Sequence, residues 1–590
     1  MTRTKGWMIW FTYIVFSVLY FSCKKSSSPA PGNNTGGGSN GGSSLDTVYQ
    51  PVDPPVAATI GWFLNSWQPK TYVIPAQYRD TVAPAGNATV TVQVDMNQVI
   101  TKVSPYLFGN NANTWMGQMV TEPALLQYIT DLAPHIIRGP GGSISDVYFW
   151  NQSSAPPADA PDSLYDGSGH KVAAGYWYGM NTQSWTLSID HYYQMLQQTH
   201  NEGILTVNYA YARYGTGPHP VQTAAHLAAD WVRYDHGRTR FWEIGNESNG
   251  TWEASYQIDP ATNQDGQPAI ITGQLYGQHF KIFADSMRAA ARETGATIYI
   301  GAQLLDAPPA SWQTETDKNW NAGVLSEAGN SADFFIVHDY FTPYQKNSTA
   351  AEIIDSGLSV PGRIMRYLNQ QFSQYGVTPK PVALTEWNIF ATGSMQMVSN
   401  IAGLEATIVL GELIKNQFGE ASRWDLANGW DNGNDMGLFN IGDEPGAPKW
   451  NPRPAFYYMM LFQRCFGDRM VASAVQGSSD VLCYASSFTQ GPAAGLVLIN
   501  TGNTPQTVQI LLNHFAPANR YYWFTCTGGN DNGEFSRKVY INGYGPAGVS
   551  GGPAANYNQI LPYSATASPH IQVMLPARAV VFLQIPARHG

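Results

Sequence analysis

The stretch FWEIGNESNG, residues 241–250, passes from a short apolar run into a polar turn that carries Glu247. Seven other stretches of the chain repeat this pattern, an apolar run that ends in polar or charged residues. The eight runs are YLFGNN from Tyr106, HIIRGPGG from His135, ILTVNYAY from Ile204, RFWEIGNE from Arg240, TIYIGAQ from Thr297, DFFIVHDY from Asp333, PVALTEWN from Pro381 and ASRWDLANGW from Ala421. Short apolar runs bounded by polar residues are typical of buried strands in a parallel sheet.

Helical patterns lie between the eight runs. Examples are PALLQYITDLA from Pro123, a long pattern that ends at Gly295, and residues 400–419, which also end in glycine. Glycine after the last periodic residue is a helix stop. Eight strand–helix units predict an α/β fold, a (β/α)8 TIM barrel over residues 103–454. The competing arrangement is a doubly wound sheet, but GPGGSIS after the second run does not match the dinucleotide-binding pattern.

The sequence pattern changes after residue 454. Residues 455–590 hold short strand patterns separated by Gly, Pro and Asn, such as AGLVLIN and ARAVVFLQI, which predict an antiparallel β-sandwich. Ahead of the barrel, residues 46–102 have no clear period until ATVTVQVDMNQVI, residues 88–100, which alternates like a strand. We expect this N-terminal segment to contribute one or more strands to the sandwich.

The first residues predict where in the cell the protein is located. Arg3 and Lys5 precede an apolar run, residues 7–21, that is too short for a membrane span but suits a signal peptide. We assign residues 1–22 to a lipoprotein signal peptide, Cys23 to lipidation, and the Gly/Ser-rich residues 23–45 to a flexible tether. This predicts a lipid-anchored protein of the bacterial envelope, at the outer membrane on its periplasmic or outer side, or a secreted protein if Cys23 is not lipidated.

Composition narrows the function class. The formal net charge is −10 and charged residues are 13% of the chain, about half the usual share, with no basic stripe of the kind that binds nucleic acid. Aromatic residues also make up 13%, which suits either a large packed core or a surface that stacks on sugar rings. The three cysteines beyond Cys23 are scattered, so a metal site is not indicated and at most one disulfide is possible.

The polar residues that end the runs predict where the chemistry lies, because a barrel of this kind carries its active site at the carboxyl ends of its strands. They include Asn110, Arg138, Asn208, Asn246, Glu247, His338, Tyr340, Glu386, Asn388 and Trp430. Glu247 follows the fourth run and Glu386 ends the seventh, on roughly opposite walls. Two facing carboxylates suit glycoside hydrolysis, in which one donates a proton and the other attacks the anomeric carbon. Each alone could be a solvated acid at a strand end.

Glu243 competes with Glu247, because residues four apart on a strand face the same way. We prefer Glu247, which lies nearer the strand end, and expect Glu243 to lie deeper in the barrel behind it.

These motifs resemble a known group. WEIGNE and ALTEWN resemble the acid/base and nucleophile strands of the retaining glycoside hydrolase superfamily with (β/α)8 barrels (clan A), nearest in pattern to α-L-arabinofuranosidases, β-xylosidases and heparanase-like families. SPYLFGNN, IRGPGG and RPAFYYMMLFQRCFGD resemble other segments of these enzymes, so the resemblance covers roughly residues 90–590. It implies a retaining hydrolase with Glu247 as general acid/base and Glu386 as nucleophile.

The resemblance also implies roles for neighbouring residues. Asn246 would bind the sugar 2-hydroxyl, Arg138 would keep Glu386 ionised, and Tyr340 would donate a hydrogen bond to that carboxylate. His338 would line the polar floor and Trp430 would stack on the sugar. Asn208 and Asn388 complete the expected substrate-binding set. Arg138, His338 and Trp430 could instead be structural.

The implied substrate is a plant or algal oligosaccharide or polysaccharide. We expect α-L-arabinofuranosidase activity first and endo-β-glucanase or xylanase activity second. A glycan-binding lipoprotein without catalysis and an adhesion protein are the alternatives from other classes. Trp177, Tyr178, Trp252 and Trp312 in the long loops are candidate sugar-stacking residues. No cofactor or metal is required, and DNGNDMG, residues 431–437, fails the ligand pattern of a calcium loop.

Overall fold

A computed structural model describes residues 49–588 of the chain. The predicted signal peptide, residues 1–22, the predicted lipidation site Cys23 and the predicted tether up to residue 45 lie outside the described residues. No helix within residues 49–588 is long and apolar enough to cross a membrane.

Eight parallel strands close into a barrel in which each strand pairs with the next along the chain and the last pairs with the first. The prediction of a (β/α)8 barrel rather than a doubly wound sheet is confirmed, and all eight predicted runs contribute a strand. The strands are β1 (Gly109–Asn111), β2 (Ile136–Gly139), β3 (Glu202–Val207), β4 (Phe241–Ile244), β5 (Tyr299–Gln303), β6 (Phe334–Tyr340), β7 (Val382–Asn388) and β8 (Glu420–Arg423).

Helices surround the barrel on the outside. They are Pro123–Leu132, Ile189–Thr199, Tyr211–Tyr214, Pro220–Asp235, Gly273–Thr294, Glu315–Ala328, Ala350–Tyr375 and Asn400–Lys415. Gly295 ends the fifth of these in a left-handed conformation, with φ of 69°, as its position in the sequence predicted. The last helix ends at Lys415 with Asn416 as its cap, short of the expected stop at Gly419, because the chain turns there to enter β8.

The segment ahead of the barrel closes its floor. A short 3-10 turn, Gly61–Leu64, inserts Phe63 among the first residues of the strands, including Ile136 and Phe241. Trp62 stacks on Tyr299, the first residue of β5, with ring centroids 4.0 Å apart. The sequence has no clear period here, and this part of it is a packed plug.

The C-terminal domain is a mostly antiparallel β-sandwich, as predicted. Strand Val90–Lys102 lies in its sheet, antiparallel to Arg469–Gln476 and parallel to Gln506–Asn513. The other strands are Arg79–Asp80, Val481–Phe488, Ala493–Asn500, Arg520–Gly528, Val539–Ile541, Tyr563–Thr566, Ile571–Leu575 and Ala579–Pro586.

Helix Pro454–Cys465 connects the two domains. It contacts barrel helices Pro123–Leu132 and Asn400–Lys415 on one side and strands Ala493–Asn500 and Ala579–Pro586 on the other. Ten of its twelve residues are buried, which suits a helix that packs on both domains. The three cysteines of residues 49–588 are free thiols.

Phe63→Ala tests the plug at the barrel floor. Phe63 is fully buried, so the substitution leaves a cavity and should lower the free energy of unfolding by about 3–5 kcal/mol. Urea denaturation followed by circular dichroism measures the loss. Val82→Ala, at a side chain that is 87% exposed, is the control and should change the value by less than about 0.5 kcal/mol. An equal effect of both variants would contradict the plug.

Candidate active site

Two carboxylates meet above the carboxyl ends of the barrel strands. Glu386 lies within β7, and Glu247 follows β4 after a turn in which Gly245 has φ of 75°. Glu247 itself has a positive φ of 39°, an uncommon conformation for a residue with a side chain. One oxygen of each carboxylate lies within 4.8 Å of the other. The structure therefore brings together the two acids that the sequence analysis paired.

Arg138 lies at the centre of the polar network beneath Glu386. Its Nη1 donates to Glu386 Oε1 at 2.8 Å and its Nε donates to Glu243 Oε2 at 2.6 Å. Its two Nη atoms also donate to Asn111 Oδ1 at 3.0 Å and Asn246 Oδ1 at 2.9 Å. Burial lowers the pKa of Arg138, but the charges of Glu243 and Glu386 outweigh burial and raise it above its ordinary value. Arg138 is thus a buried permanent cation between two carboxylates.

Glu243 and Glu247 lie at different depths in the barrel, as their order along the chain predicted. Glu243 is fully buried, bonded to Arg138 and to Thr206 Oγ1 at 2.7 Å, while Glu247 lines a cavity at the mouth of the barrel. Only Glu247 of the two is open to a ligand.

A β-bulge sets the register of the polar residues at the end of β6. The register between β6 and β7 shifts between Val337 and His338, after which His338 pairs with Glu386. Tyr340 then donates to Glu386 Oε2 at 2.9 Å, the contact expected from the resemblance. Burial first, and the charge of Glu386 second, raise the pKa of Tyr340 well above its ordinary value, so it stays a hydrogen-bond donor.

His338 and Glu247 form a hydrogen-bonded pair. His338 Nδ1 lies 2.9 Å from Glu247 Oε1, and Nε2 lies 3.0 Å from Thr385 Oγ1. Burial raises the pKa of Glu247, but the hydrogen bond and charge of His338, with smaller effects from Trp252 and Arg138, bring it below its ordinary value. Burial lowers the pKa of His338, and Glu386 and Glu247 together outweigh that effect and raise it. In the free protein, the proton of this pair resides on the imidazole.

Three functional candidates escaped the sequence analysis. Asp146 and Glu253 are buried beside Asn246, whose Nδ2 donates to Glu253 Oε1 at 2.9 Å and whose backbone N–H donates to Asp146 Oδ1 at 3.4 Å. Burial raises the pKa of Asp146 to about 7 and that of Glu253 well above its usual range. In their protonated forms, the carboxyl groups of Asp146 and Glu253 hold the side chain and backbone of Asn246 without adding charge to the site. Neither ends a strand, so no pattern in the sequence marked them.

The third is Trp424, which follows β8. A Cβ added to Gly142 would lie 2.8 Å from Cη2 of Trp424 and 3.6 Å from Glu386 Oε1, so the indole and the carboxylate flank this glycine. The predicted stacking residue Trp430 instead has its ring between the guanidinium groups of Arg453, at 5.5 Å, and Arg537, at 4.9 Å. The signal for Trp424 was available in RWDLANGW, where it is the tryptophan nearer the strand.

Asn208 and Asn388 do not join the network around the acids. The side chain of Asn208 accepts from the backbone N–H of Tyr211 at 3.0 Å and donates to Tyr214 Oη at 3.0 Å. The side chain of Asn388 donates to the backbone carbonyl of Trp424 and accepts from Arg423 Nη2 at 3.2 Å. Both amides bind other groups of the protein, and the substrate-binding role expected of them stays a prediction.

Glu247, His338 and Glu386 are also the group within residues 49–588 whose ligand atoms are close enough to surround a metal ion. Their atoms already bind one another, Trp252, Arg138 and Tyr340, and the Arg138 cation repels a second cation. The loop of residues 431–437 was compared above with a calcium loop. Its Asp435 is already engaged in a buried salt bridge, with Oδ2 2.6 Å from Nη2 of Arg453.

The titration of His338 tests the pair. Its pKa should lie above the ordinary value of about 6.5, and in Glu247→Gln it should fall because burial and Arg138, which lower it, are then opposed by Glu386 alone. NMR of ¹³C-labelled histidine, with His338→Gln for assignment, measures it. His279, whose pKa burial lowers to about 3, is the internal control and should stay neutral in every variant. An unchanged His338 titration in Glu247→Gln would refute the pairing.

Comparisons with known proteins agree with this geometry. Residues 128–346 match the family profile described as alpha-L-arabinofuranosidase 1 domain, a span that includes Arg138, Glu247 and His338 and ends before Glu386. A curated intracellular exo-α-(1→5)-L-arabinofuranosidase of Streptomyces lividans is 25% identical over 230 residues, which are 37% of this chain and 30% of that protein. The match therefore spans less than a third of the relative's length.

Two solved structures show the same fold. The thermostable GH51 α-L-arabinofuranosidase of Thermotoga petrophila is 16% identical, with 84% of this chain and 99% of that chain covered and a TM-score of 0.59. A Paenibacillus polymyxa xyloglucanase of glycoside hydrolase family 44 is 12% identical, with 84% and 99% covered and a TM-score of 0.53. In its family domain and in its barrel-plus-sandwich fold, the chain resembles the α-L-arabinofuranosidases of the clan A glycoside hydrolases.

Proposed function

We propose that the protein is a retaining glycoside hydrolase in which Glu386 is the nucleophile and Glu247 the general acid/base. The observation that carries the proposal is the approach of their oxygens to within 4.8 Å. Retaining enzymes hold the two carboxyl groups about 5–5.5 Å apart, whereas inverting enzymes need about 6.5–9.5 Å to fit a water molecule between acid and sugar. The spacing supports double displacement.

In the first step, a carboxylate oxygen of Glu386 attacks the anomeric carbon and forms an ester bond. The bond from that carbon to the leaving-group oxygen breaks, and its electron pair goes to the oxygen, which takes a proton from Glu247. Arg138, at 2.8 Å, donates to the attacking carboxylate and holds it in place. Tyr340 donates to the other oxygen and fixes the plane of the carboxylate.

In the second step, Glu247 takes a proton from water while the water oxygen attacks the same carbon. The ester bond breaks, its electron pair returns to Glu386, and the sugar leaves with its original anomeric configuration. His338, hydrogen-bonded to Glu247, holds a proton next to the acid and can exchange it as the charge of the carboxylate changes between steps.

Asn246 is proposed to bind the sugar 2-hydroxyl, an interaction that strengthens in the transition state. Its position supports the role, since its Oδ1 shares Arg138 with the nucleophile and its Nδ2 is held by Glu253. A fixed amide stabilises the transition state without having to reorganise during the reaction.

We propose α-L-arabinofuranosidase as the activity, supported by the family profile and by the curated relative. Endo-β-glucanase or xylanase activity is the second candidate, because a structure described as a xyloglucanase has the same fold. The substrate class common to both is a neutral plant or algal oligosaccharide or polysaccharide. Aryl glycosides and polysaccharides of arabinose, xylose and glucose, tested in parallel, decide between them.

Glu386→Ala and Glu247→Ala test the assignment of the two acids. Removal of the nucleophile should lower kcat by about a thousandfold or more, and removal of the acid/base by about 10²–10⁴-fold on a poor leaving group. Azide should restore both on an activated aryl glycoside. It replaces the nucleophile in Glu386→Ala and gives a glycosyl azide of inverted configuration, but it attacks the glycosyl-enzyme in Glu247→Ala and gives retained configuration.

The exposed Glu315→Ala, with a side chain 81% exposed, is the matched control and should hydrolyse as wild type does. Products of exchanged configuration would reverse the two roles. If no glycoside is cleaved while a polysaccharide binds wild type and both variants equally, the protein is a glycan-binding lipoprotein and the catalytic proposal fails.

We also propose that Cys23 carries a lipid that anchors the protein to the bacterial envelope. The proposal rests on Arg3 and Lys5, the apolar residues 7–21 and the Gly/Ser-rich tether after Cys23. Cys23→Ser should abolish incorporation of an alkynyl fatty acid and move the protein from the detergent phase to the aqueous phase. Cys483→Ser is the control and should keep the label. Labelling that survives Cys23→Ser would contradict the anchor.

A further inference from the structure

A cavity of about 330 Å³ opens beside Glu247, above the carboxyl ends of β4, β5 and β6. Glu247 and His338 form its inner wall, and the loops after β4 and β5 contribute Trp252 and Trp312 to its rim. Glu386 is not among its lining residues. The cavity therefore extends from the acid/base and away from the nucleophile, at the lower end of the roughly 300–1,000 Å³ typical of ligand pockets.

The chemistry of the two acids gives this asymmetry a meaning. The nucleophile contacts the anomeric carbon, whereas the acid/base contacts the oxygen of the group that leaves. A cavity that shares only Glu247 with the reacting centre must therefore face the leaving group rather than the sugar that becomes bonded to Glu386.

The rim of the cavity exposes aromatic surface. Among residues 49–588, three tryptophans count as exposed, and two of them, Trp252 at 57% and Trp312 at 84%, lie here. Exposed aromatic side chains at the edge of a pocket are a mark of ligand binding. Their flat faces complement the C–H face of a sugar ring.

The two indoles differ in how firmly they are held. Trp252 donates from Nε1 to Glu247 Oε2 at 3.0 Å and packs on Gly250, where an added Cβ would lie 2.6 Å from the ring. For the ring of Trp312, the structure records no aromatic or hydrogen-bonding partner within residues 49–588. Replacement of Trp252 would therefore disturb the acid/base Glu247 directly, whereas Trp312 can be replaced without disturbing either acid.

The charges of the cavity select against an acidic ligand. Asp306 and Asp317 join Glu247 in the lining, which contains no Lys or Arg among the described residues. The guanidinium of Arg363 lies 3.9 Å from Asp306 and is bound at 2.9 Å to Asp339. A carboxylate on the ligand would meet three acidic side chains against one cation in the lining, the imidazolium of His338.

We infer that this cavity is the leaving-group subsite and that it takes a neutral sugar residue that stacks on Trp312. The inference rests on the proposed function and adds to it the side of the site, and the aromatic residue, that bind the leaving group. The bond that is cleaved joins two sugars, and the leaving side is a neutral residue of an oligosaccharide or polysaccharide rather than a uronic acid.

The test isolates this subsite by filling the other one. A 2-deoxy-2-fluoro glycoside of the sugar that wild type cleaves converts Glu386 into a stable ester. Reactivation is then followed in water alone, with xylobiose as the neutral acceptor, and with glucuronic acid. Wild type, Trp312→Ala and Trp185→Ala are compared, since Trp185 is the third exposed tryptophan and lies outside the cavity.

Xylobiose should accelerate reactivation of wild type and Trp185→Ala with saturation. In Trp312→Ala, the half-saturating concentration should rise on the order of tenfold, the scale of losing an aromatic anchor. Equal behaviour of Trp312→Ala and wild type would overturn the inference. Glucuronic acid as effective as xylobiose would overturn its charge selectivity.

A separate measurement distinguishes failure of the inference from failure of the proposed function. If wild type cleaves no glycoside and forms no ester, the proposed function falls. Titration of the free protein with xylobiose, followed by tryptophan fluorescence, then decides about the site. Binding that is lost in Trp312→Ala but kept in Trp185→Ala retains a neutral-sugar site, and binding indifferent to Trp312 removes it.

Discussion

The guanidinium of Arg138 joins the walls of the barrel at the point where the chemistry is proposed. Arg138 lies in β2, and its guanidinium donates to Asn111 on β1, Glu243 on β4 and Glu386 on β7. A buried charge of this kind is stable only when paired, and removing one partner of a buried pair costs about 3–5 kcal/mol. Lysine could not replace it, because a compact ammonium cannot serve partners that lie on both sides of a planar fork. The same pairing that ties the strands together fixes the position of the Glu386 carboxylate.

The two carboxylates differ because their surroundings differ. Glu386 faces a permanent cation and a phenol, each of which donates a hydrogen bond to one of its oxygens. Glu247 faces a histidine that can give up its proton, and the proton of that pair rests on the imidazole in the free protein. A sugar that covers the pair excludes water and strengthens the effect of burial, which by itself favours a neutral Glu247. The environment thus assigns the roles that residue type alone leaves equal.

The two sides of the barrel mouth differ, as the surroundings of the two acids do. On the Glu386 side, the glycine-rich turn after β2 brings Gly142 against Trp424 and the Glu386 carboxylate. On the Glu247 side, the loops after β4 and β5 leave a cavity with two exposed indoles and an acidic lining. A substrate that spans both sides would have its reacting sugar enclosed and its leaving group on an open aromatic rim, which accords with cleavage between two sugar residues.

Much of this arrangement could be predicted from the sequence. The eight apolar runs determined the barrel, because strand order follows chain order in a (β/α)8 fold and no remote pairing has to be guessed. For the same reason the polar ends of the runs had to meet, which placed Glu247, Glu386, Arg138, Tyr340 and His338 at one face. The alternation of residues 88–100 likewise marked a strand, although not its neighbours in the sheet.

Only the tertiary structure decided which polar side chains join the network around the acids. Asn246 bonds to Arg138, whereas the amide of Asn208 bonds to Tyr214 Oη and that of Asn388 to the backbone carbonyl of Trp424. Trp424 rather than Trp430 lies by Glu386, because a short turn after β8 carries the later tryptophan to two arginines. Asp146 and Glu253 carry no periodic signal, and burial, which raises their pKa values, exists only once the loops have closed. Periodicity and order along the chain determined the scaffold and the facing acids, while hydrogen-bond partners and burial, which depend on residues remote in sequence, were decided by the fold.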